Sequence, residues 1–550
     1  MLSMLHGIRI SLWNDLAACS VARIGLPLRQ LSHQSSVMLA GIFAVALSVR
    51  LIGLAGKPFW LDEIVTLDRS KQSVLSVITE ALSYHHFPMY FVLTHYVEWA
   101  SSTEFALRLP SAIFGSIACV ATAAAAFRIA GYRAGIVAGL LMSMSPLQIE
   151  YSQEARANAM AVMFISGAFF GLVSISAISP LASSGSHKLF RRRWSLYILC
   201  TGLALNVLGI GAMWIASAMA TFAILCMGAG TGRPGLIRCS LLAHVAIFLV
   251  WLPSLLAMYF LVTEHGQLLD GLSWVPPVSG TRFWEVVSSV YTFHVRSPFN
   301  FADYTRFEAL LDTSLPILAV LGGCFLWHHR PLFWAVTVSA FGISVFTILM
   351  SPLLSLWLER YLLWSASPFF VLCSVGFTIL PPQIRRLVAI GLASVSIYNL
   401  VIYYHAETKP RWDLAAAVIS SRLVRSDVLL VPNSWEPRML DEYFKRPDPN
   451  IQHIEWTHDV GKAEDFLTRG IRVWAVFGRV GLYDRESEGS FLARIRTLGN
   501  PTYSTSAGRE ILILRYDRPP PLRNCASVTR LNSDYPDPCE SEGMSAPKPT

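Results

Sequence analysis

Apolar runs long enough to matter to a membrane recur along most of the chain, broken by short polar connections, until the pattern changes near residue 405. A crossing needs roughly 17–25 apolar residues. Eleven segments fit, several of them short: Val37–Leu54, Leu107–Phe127, Ala134–Gln148, Ala159–Ile178, Leu196–Ile210, Ala212–Met227, Leu241–Val262, Leu315–Trp327, Leu332–Met350, Tyr361–Leu380 and Leu387–Tyr404. Phe87–Ala100 is also apolar, but its 14 residues would cover only about 21 Å of a hydrocarbon layer about 30 Å thick. It reads as a helix along the outer membrane surface, its aromatics at headgroup level. Beyond Tyr404 the short β-like runs Val428–Pro432 and Val473–Phe477 flank helical spacing at Trp412–Leu423.

These patterns predict an α-helical integral membrane protein of about eleven transmembrane helices with a small C-terminal soluble α/β domain. Residues 1–36 form an N-terminal cytoplasmic segment, which reads as retained and not as a secretory signal. Residues 37–404 form the multi-span domain, with a first outer loop at 55–106. Residues 405–518 form an outward-facing α/β domain, and the Pro-rich 519–550 an expected disordered tail.

Composition agrees with a membrane protein. The chain is 53% hydrophobic and 15% charged, with a mean hydropathy of +0.47, more apolar surface than a soluble core buries. The net charge of +8 does not indicate nucleic acid, because the basic residues sit in short clusters between apolar runs. Arg9, Arg23 and Arg29, Arg128 and Arg133, Lys188 with Arg191–Arg193, Arg233 and Arg238, Arg330, and Arg385–Arg386 all fall on one side of the eleven-span arrangement. The positive-inside rule makes that side cytoplasmic. Of the nine cysteines, Cys525 and Cys539 alone fall in the outward tail, as either a disulfide or two idle thiols. No C-x-x-C or H-E-x-x-H spacing supports a zinc site.

The outward connections concentrate the polar chemistry. Trp60-Leu61-Asp62-Glu63 follows the first span, His86-Phe87-Pro88 and Glu104 to Arg108 lie further on, Gln153-Glu154-Ala155-Arg156 closes the second outer segment, and Glu359-Arg360 opens the tenth span. Carboxylates at the outer end of a first span suit work on a molecule whose lipid tail stays in the bilayer. Group transfer from a lipid phosphate needs a base for the acceptor's proton and cations for the leaving phosphate, where the bidentate fork of Arg is suited. Asp62 is the candidate base, and Arg156 and Arg360 the candidate clamps. Glu63, His86, Glu104, Arg108, Gln153 and Glu154 complete the candidates. Each also has a bland reading: solvated loop acids, a turn cap at His86, and arginines snorkelling to lipid.

The segments Phe59–Glu63, His86–Phe91, Ser101–Gly115, Ser145–Arg156, Trp274–Pro277 and Glu359–Leu363, in this order, resemble the bacterial branch of the protein O-mannosyltransferase family, which includes aminoarabinose transferases. The family belongs to the GT-C class of membrane glycosyltransferases using polyprenyl-phosphate sugars. The resemblance spans roughly Val37 to Leu380. It implies Asp62 as catalytic base with Glu63 its companion, Gln153, Glu154 and Arg156 lining the donor site, and Arg360 near the donor phosphate. It implies a polyprenyl-phosphate-linked sugar donor, a protein, lipid or polysaccharide acceptor, and the outer face of the bacterial inner membrane. No cofactor is expected; the wider class can hold a divalent ion between outer-loop acids, but this branch is expected to need none. His86-Phe87-Pro88 departs from the family's usual His-Pro-Pro, and Asn206 stands where many relatives carry His. The rival readings are a transporter or flippase, which internal repeats and midplane charges would mark, and a polymerase or ligase of surface glycans, which would lack the Asp-Glu pair.

Overall fold

The computed structural model describes residues 33–176, 187–228, 233–265, 275, 277–294, 306–353, 356–424, 426–432, 435–444, 455–478, 491–508 and 511–517. The expected tail at 519–550, most of the N-terminal segment, Cys525 and Cys539, and Trp274 lie outside the described residues.

Although Ala134–Gln148 is broken at Ser145 and residues 177–178 lie outside the described residues, each expected span overlaps a helix. In chain order these are α1 (His33–Leu51), α5 (Glu104–Ala130), α6 (Tyr132–Met144), α8 (Asn158–Ser176), α9 (His187–Val207), α10 (Ala212–Gly228), α11 (Arg233–His265), α13 (Arg306–Leu326), α14 (Arg330–Met350), the pair α15 (Glu359–Leu362) and α16 (Ala366–Ile379), and α17 (Pro382–His405). Seven segments among the described residues are long and apolar enough to cross a membrane, whereas α6, α10 and the 312–326 part of α13 are apolar but shorter. Small residues let helices close in. A Cβ on Gly322 of α13 would strike the carbonyl of Leu372, and one on Gly376 of α16 the carbonyl of Leu318, so these two helices meet at backbone distance.

The loop after α1 is itself helical: α2 (Leu61–Ser70), α3 (Val74–Ser83) and α4 (Met89–Ala100). The 12 residues of α4 bury Tyr90, Phe91 and Thr94 and leave Tyr96 and Trp99 exposed. One face therefore packs on the loop while Tyr96 and Trp99 on the other stand exposed. The second outer segment contributes α7 (Pro146–Ser152), and α12 (Gly280–Tyr291) follows α11.

After α17 come α18 (Trp412–Ser420), β1 (Val428–Leu430), α19 (Trp435–Tyr443), β2 (Glu455–Thr457), α20 (Val460–Thr468), β3 (Val473–Gly478), β4 (Tyr503–Ala507) and β5 (Ile511–Tyr516). The strands form one sheet of order β2-β1-β3-β5-β4. Its first three strands are parallel through helical crossovers, and β5 runs antiparallel to both β3 and β4. The unit does not stand apart from the membrane part: Trp412, Ala415, Leu429 and Trp474 share one apolar cluster with Phe59, Ile64, Leu67 and Leu107.

Candidate active site

Asp62 and Glu63 occupy the first turn of α2, where acids favour the helix dipole. Successive helical residues point about 100° apart, so the two carboxylates part company. Glu63 turns inward and is fully buried. Its Oε1 accepts from Arg108 Nε at 2.7 Å and the Ala155 amide at 2.8 Å, and its Oε2 from Arg108 Nη2 at 2.8 Å and Lys409 Nζ at 2.7 Å. Burial alone would raise this carboxyl, but Arg108 and Lys409 outweigh it and hold it down at about 2. Arg108 spends its remaining donors on the carbonyls of Leu54, Lys57 and Pro58 at 2.7–2.9 Å. The buried pair thus fixes the turn from the first span into α2, and Glu63 has no room for a substrate proton.

Asp62 turns the other way. Its Oδ2 lies 3.1 Å from Arg360 Nη1 and 3.5 Å from Arg156 Nη2, while Oδ1 has no hydrogen bond among the described residues. A quarter of its side chain remains exposed. Burial works to raise its pKa, but the guanidinium charges of Arg156 and Arg360 hold it below the ordinary carboxylate value. Arg156 Nη1 also donates to the Asp62 carbonyl at 3.3 Å. Residues 94 and 298 positions from Asp62 therefore meet at one oxygen.

The remaining candidates divide. His86 follows His85, whose φ of 60° turns the chain out of α3. Arg69 donates to His86 Nδ1 at 3.1 Å, and Arg69 in turn pairs with Glu80 at 3.0 Å. Burial and the neighbouring arginines Arg156 and Arg69 push the imidazole down to about 3, so it is neutral and carries its proton on Nε2. Gln153 is structural: its amide donates to the carbonyls of Arg50 and Ile52 at 2.9 and 2.7 Å and accepts from Tyr403 at 2.7 Å. Glu104 accepts from Tyr443 at 3.2 Å. The Glu359 neighbour of Arg360 pairs with Arg282 at 3.2 Å, repeating the division of labour seen at Asp62-Glu63.

Behind Asp62 lies a second group of titratable side chains. Glu154 is buried, its Oε2 without a partner; burial, with Glu63 and Asp62 adding to it, raises it to about 7. Burial and the charge of Glu154 push Glu150 up to about 8. Lys57 sits 4.3 Å over the Tyr403 ring, donates to Thr408 at 2.6 Å, and is brought down to about 8 chiefly by burial. Nothing in the sequence pattern marks Lys409, Glu150 or Arg69 as belonging to this group. Only the burial that the fold creates distinguishes them. Among the described residues no three His, Cys, Asp or Glu side chains gather as a metal site.

The arrangement sets a carboxylate beside two guanidiniums at one end of a helical membrane bundle. No protein-family model matches the chain, and no curated protein matches it in sequence. Solved structures do match its fold. ArnT from Cupriavidus metallidurans in the apo state is 15% identical with a TM-score of 0.56, covering 88% of this chain and 98% of that one. The same protein bound to undecaprenyl phosphate is 14% identical with a TM-score of 0.53, covering 90% and 100%. The archaeal oligosaccharyltransferase AglB from Archaeoglobus fulgidus, in complex with an inhibitory peptide and a dolichol-phosphate, is 12% identical with a TM-score of 0.50, covering 86% and 73%. At these identities the likeness establishes the fold, a GT-C-type helical membrane bundle with a small sheet-containing unit at its C-terminal end.

Proposed function

We propose that this chain is a membrane glycosyltransferase that moves a sugar from a polyprenyl-phosphate donor to an acceptor at the outer face of the bacterial inner membrane. The observation that carries the reading is the meeting of Arg156 and Arg360 on Asp62 Oδ2. Two guanidiniums sharing one carboxylate oxygen form a ready phosphate cradle, and the solved ArnT complex holds undecaprenyl phosphate on the same fold. Before donor arrives, Asp62 occupies the place of the phosphate charge. When donor binds, the arginines transfer to it and Asp62 is released to act as a base.

Asp62 then takes the proton of the acceptor hydroxyl or amine as that atom attacks the anomeric carbon. The bond from that carbon to the phosphate oxygen breaks, and the lipid phosphate leaves with its charge on Arg156 and Arg360. One displacement inverts the anomeric centre. Glu63, Arg108 and Lys409 are positioning residues that fix α2. Because both arginines already neutralise Asp62, charge stabilisation at the phosphate needs no divalent ion in this scheme.

The test is a transfer assay on the purified protein. Polyprenyl-phosphate sugars are offered in detergent with lipid, polysaccharide and peptide acceptors, and free polyprenyl phosphate is followed by mass spectrometry, with and without EDTA. Turnover of a lipid-phosphate sugar, indifferent to EDTA, is the expected result. Stoichiometric transport of intact donor with no cleavage would replace the enzyme by a flippase.

A further inference from the structure

At the end of the bundle opposite Asp62, the buried Arg193 and the half-buried Arg128 lie within reach of each other's charge, and no ion pair to either is found among the described residues. Arg108, in the candidate site, and Arg128 lie on the same helix α5, and their separation of twenty positions spans about 30 Å, one hydrocarbon thickness. Arg193 on α9 is 6% exposed. Its Nη1 donates to the Ser174 carbonyl near the end of α8 at 3.0 Å, and it feels the charge of Arg128. The Arg128 guanidinium stands 6.0 Å from the Phe170 ring centroid.

Four polar atoms here are buried and have no partner: Arg128 Nε, Arg193 Nε and Nη2, and Ser174 Oγ. Each is a potential donor, and none is satisfied by the described residues. Unmet buried donors on ionised groups are costly, and two like charges brought together add to that cost. A snorkelling arginine would reach out to lipid phosphate, but Arg193 is enclosed, so the anion has to come to it. The protein has little to offer: segment 177–186, which links α8 to α9, contains no acid, and in the eleven-span arrangement Asp15 alone of the chain's 36 acidic residues falls on this side.

We propose that Arg128, Arg193 and Ser174 form a site for the phosphate of an anionic phospholipid in the leaflet opposite the candidate active site. The guanidiniums present planar N–H edges suited to phosphate oxygens, and the Ser174 hydroxyl supplies a further donor. Basic pockets between the cytoplasmic ends of membrane helices commonly hold such headgroups. The site locks α5, α8 and α9 together at their inner ends, and it is independent of the sugar chemistry at Asp62.

The test uses the full-length protein, delipidated in a neutral detergent, with thermal unfolding and native mass spectrometry as readouts. Phosphatidylglycerol is expected to raise the Tm by several degrees and to remain bound at about one molecule per chain, whereas phosphatidylcholine does neither. Arg128→Gln and Arg193→Gln should each lose most of the rise, and Arg193→Lys should keep part of it. If Arg193→Gln does not fold, the less buried Arg128→Gln carries the test. An equal rise from inorganic phosphate would overturn the lipid assignment in favour of a free anion. An equal rise with phosphatidylcholine, or an undiminished rise in both Gln variants, would overturn the site.

Discussion

Lys409 and Glu63 are 346 positions apart in the chain, and the ammonium donates to the carboxylate at 2.7 Å in a fully enclosed setting. The contact links the segment that follows the last span to the loop that follows the first. Around it, Tyr443 accepts from the Phe59 amide and donates to Glu104, and the two parts share an apolar cluster. The first outer loop is therefore held in place from both ends of the protein, and Asp62 inherits that rigidity through α2.

Removing Lys409 should show this directly. Lys409→Met leaves Glu63 with Arg108 as its one cationic partner, and breaking a buried pair from one side costs about 3–5 kcal/mol. The Tm in detergent should drop markedly, and Glu63→Gln alone should also destabilise. The double variant should cost less than the sum, because both changes remove the same Lys409–Glu63 contact, while Arg108 loses its carboxylate in Glu63→Gln with or without Lys409. Strict additivity would show that the two groups do not depend on each other.

Asp62→Asn should separate catalysis from binding. The amide keeps the shape of the side chain but cannot take a proton, so transfer should fall by a factor on the order of 10² to 10⁴. Donor affinity should hold or improve, since Asn no longer competes with phosphate for Arg156 and Arg360. Steady-state kinetics with a donor-binding measurement checks both. Turnover at the wild-type rate by a folded Asp62→Asn protein would remove the base assignment.

Arg360→Lys preserves charge and loses the planar fork. If Arg360 holds the leaving phosphate, kcat should fall and donor KM rise despite the retained charge. Wild-type donor affinity and turnover would reduce Arg360 to a lipid-facing side chain at the head of α15.

Much of this was legible before any coordinates. The spans were readable because a bilayer demands long apolar runs, and Asp62, Arg156 and Arg360 stood out because each sits where such a run meets a polar connection. That Arg156 and Arg360 meet on one oxygen of Asp62 was not readable, since residues 94 and 298 positions away are joined only by helix packing. Glu63 and Lys409 show the limit most clearly. In sequence one is a loop acid beside Asp62 and the other a basic residue after a span, and neither pattern says that they end up inside the protein.

Glu154 gives the last prediction, and it concerns stability against pH. Burial foremost, with Glu63 and Asp62 adding to it, holds this carboxyl at about 7 in the fold, against about 4.3 in an unfolded chain. Between those values the folded state keeps a proton that the unfolded state gives up. Stability therefore falls as pH rises from about 4.5 to about 7, and the loss persists above that range. Glu150, raised to about 8, bends the curve in the same direction, while Lys57 titrates near the upper end, at about 8. Glu154→Gln keeps the neutral form at every pH. Its Tm should match the wild type near pH 4.5, exceed it by several degrees at pH 8, and fall less steeply between. Thermal unfolding of both proteins across pH 4.5–8 decides the matter. Parallel curves would mean that Glu154 carries its charge in the fold throughout, and that its unpartnered oxygen reaches solvent.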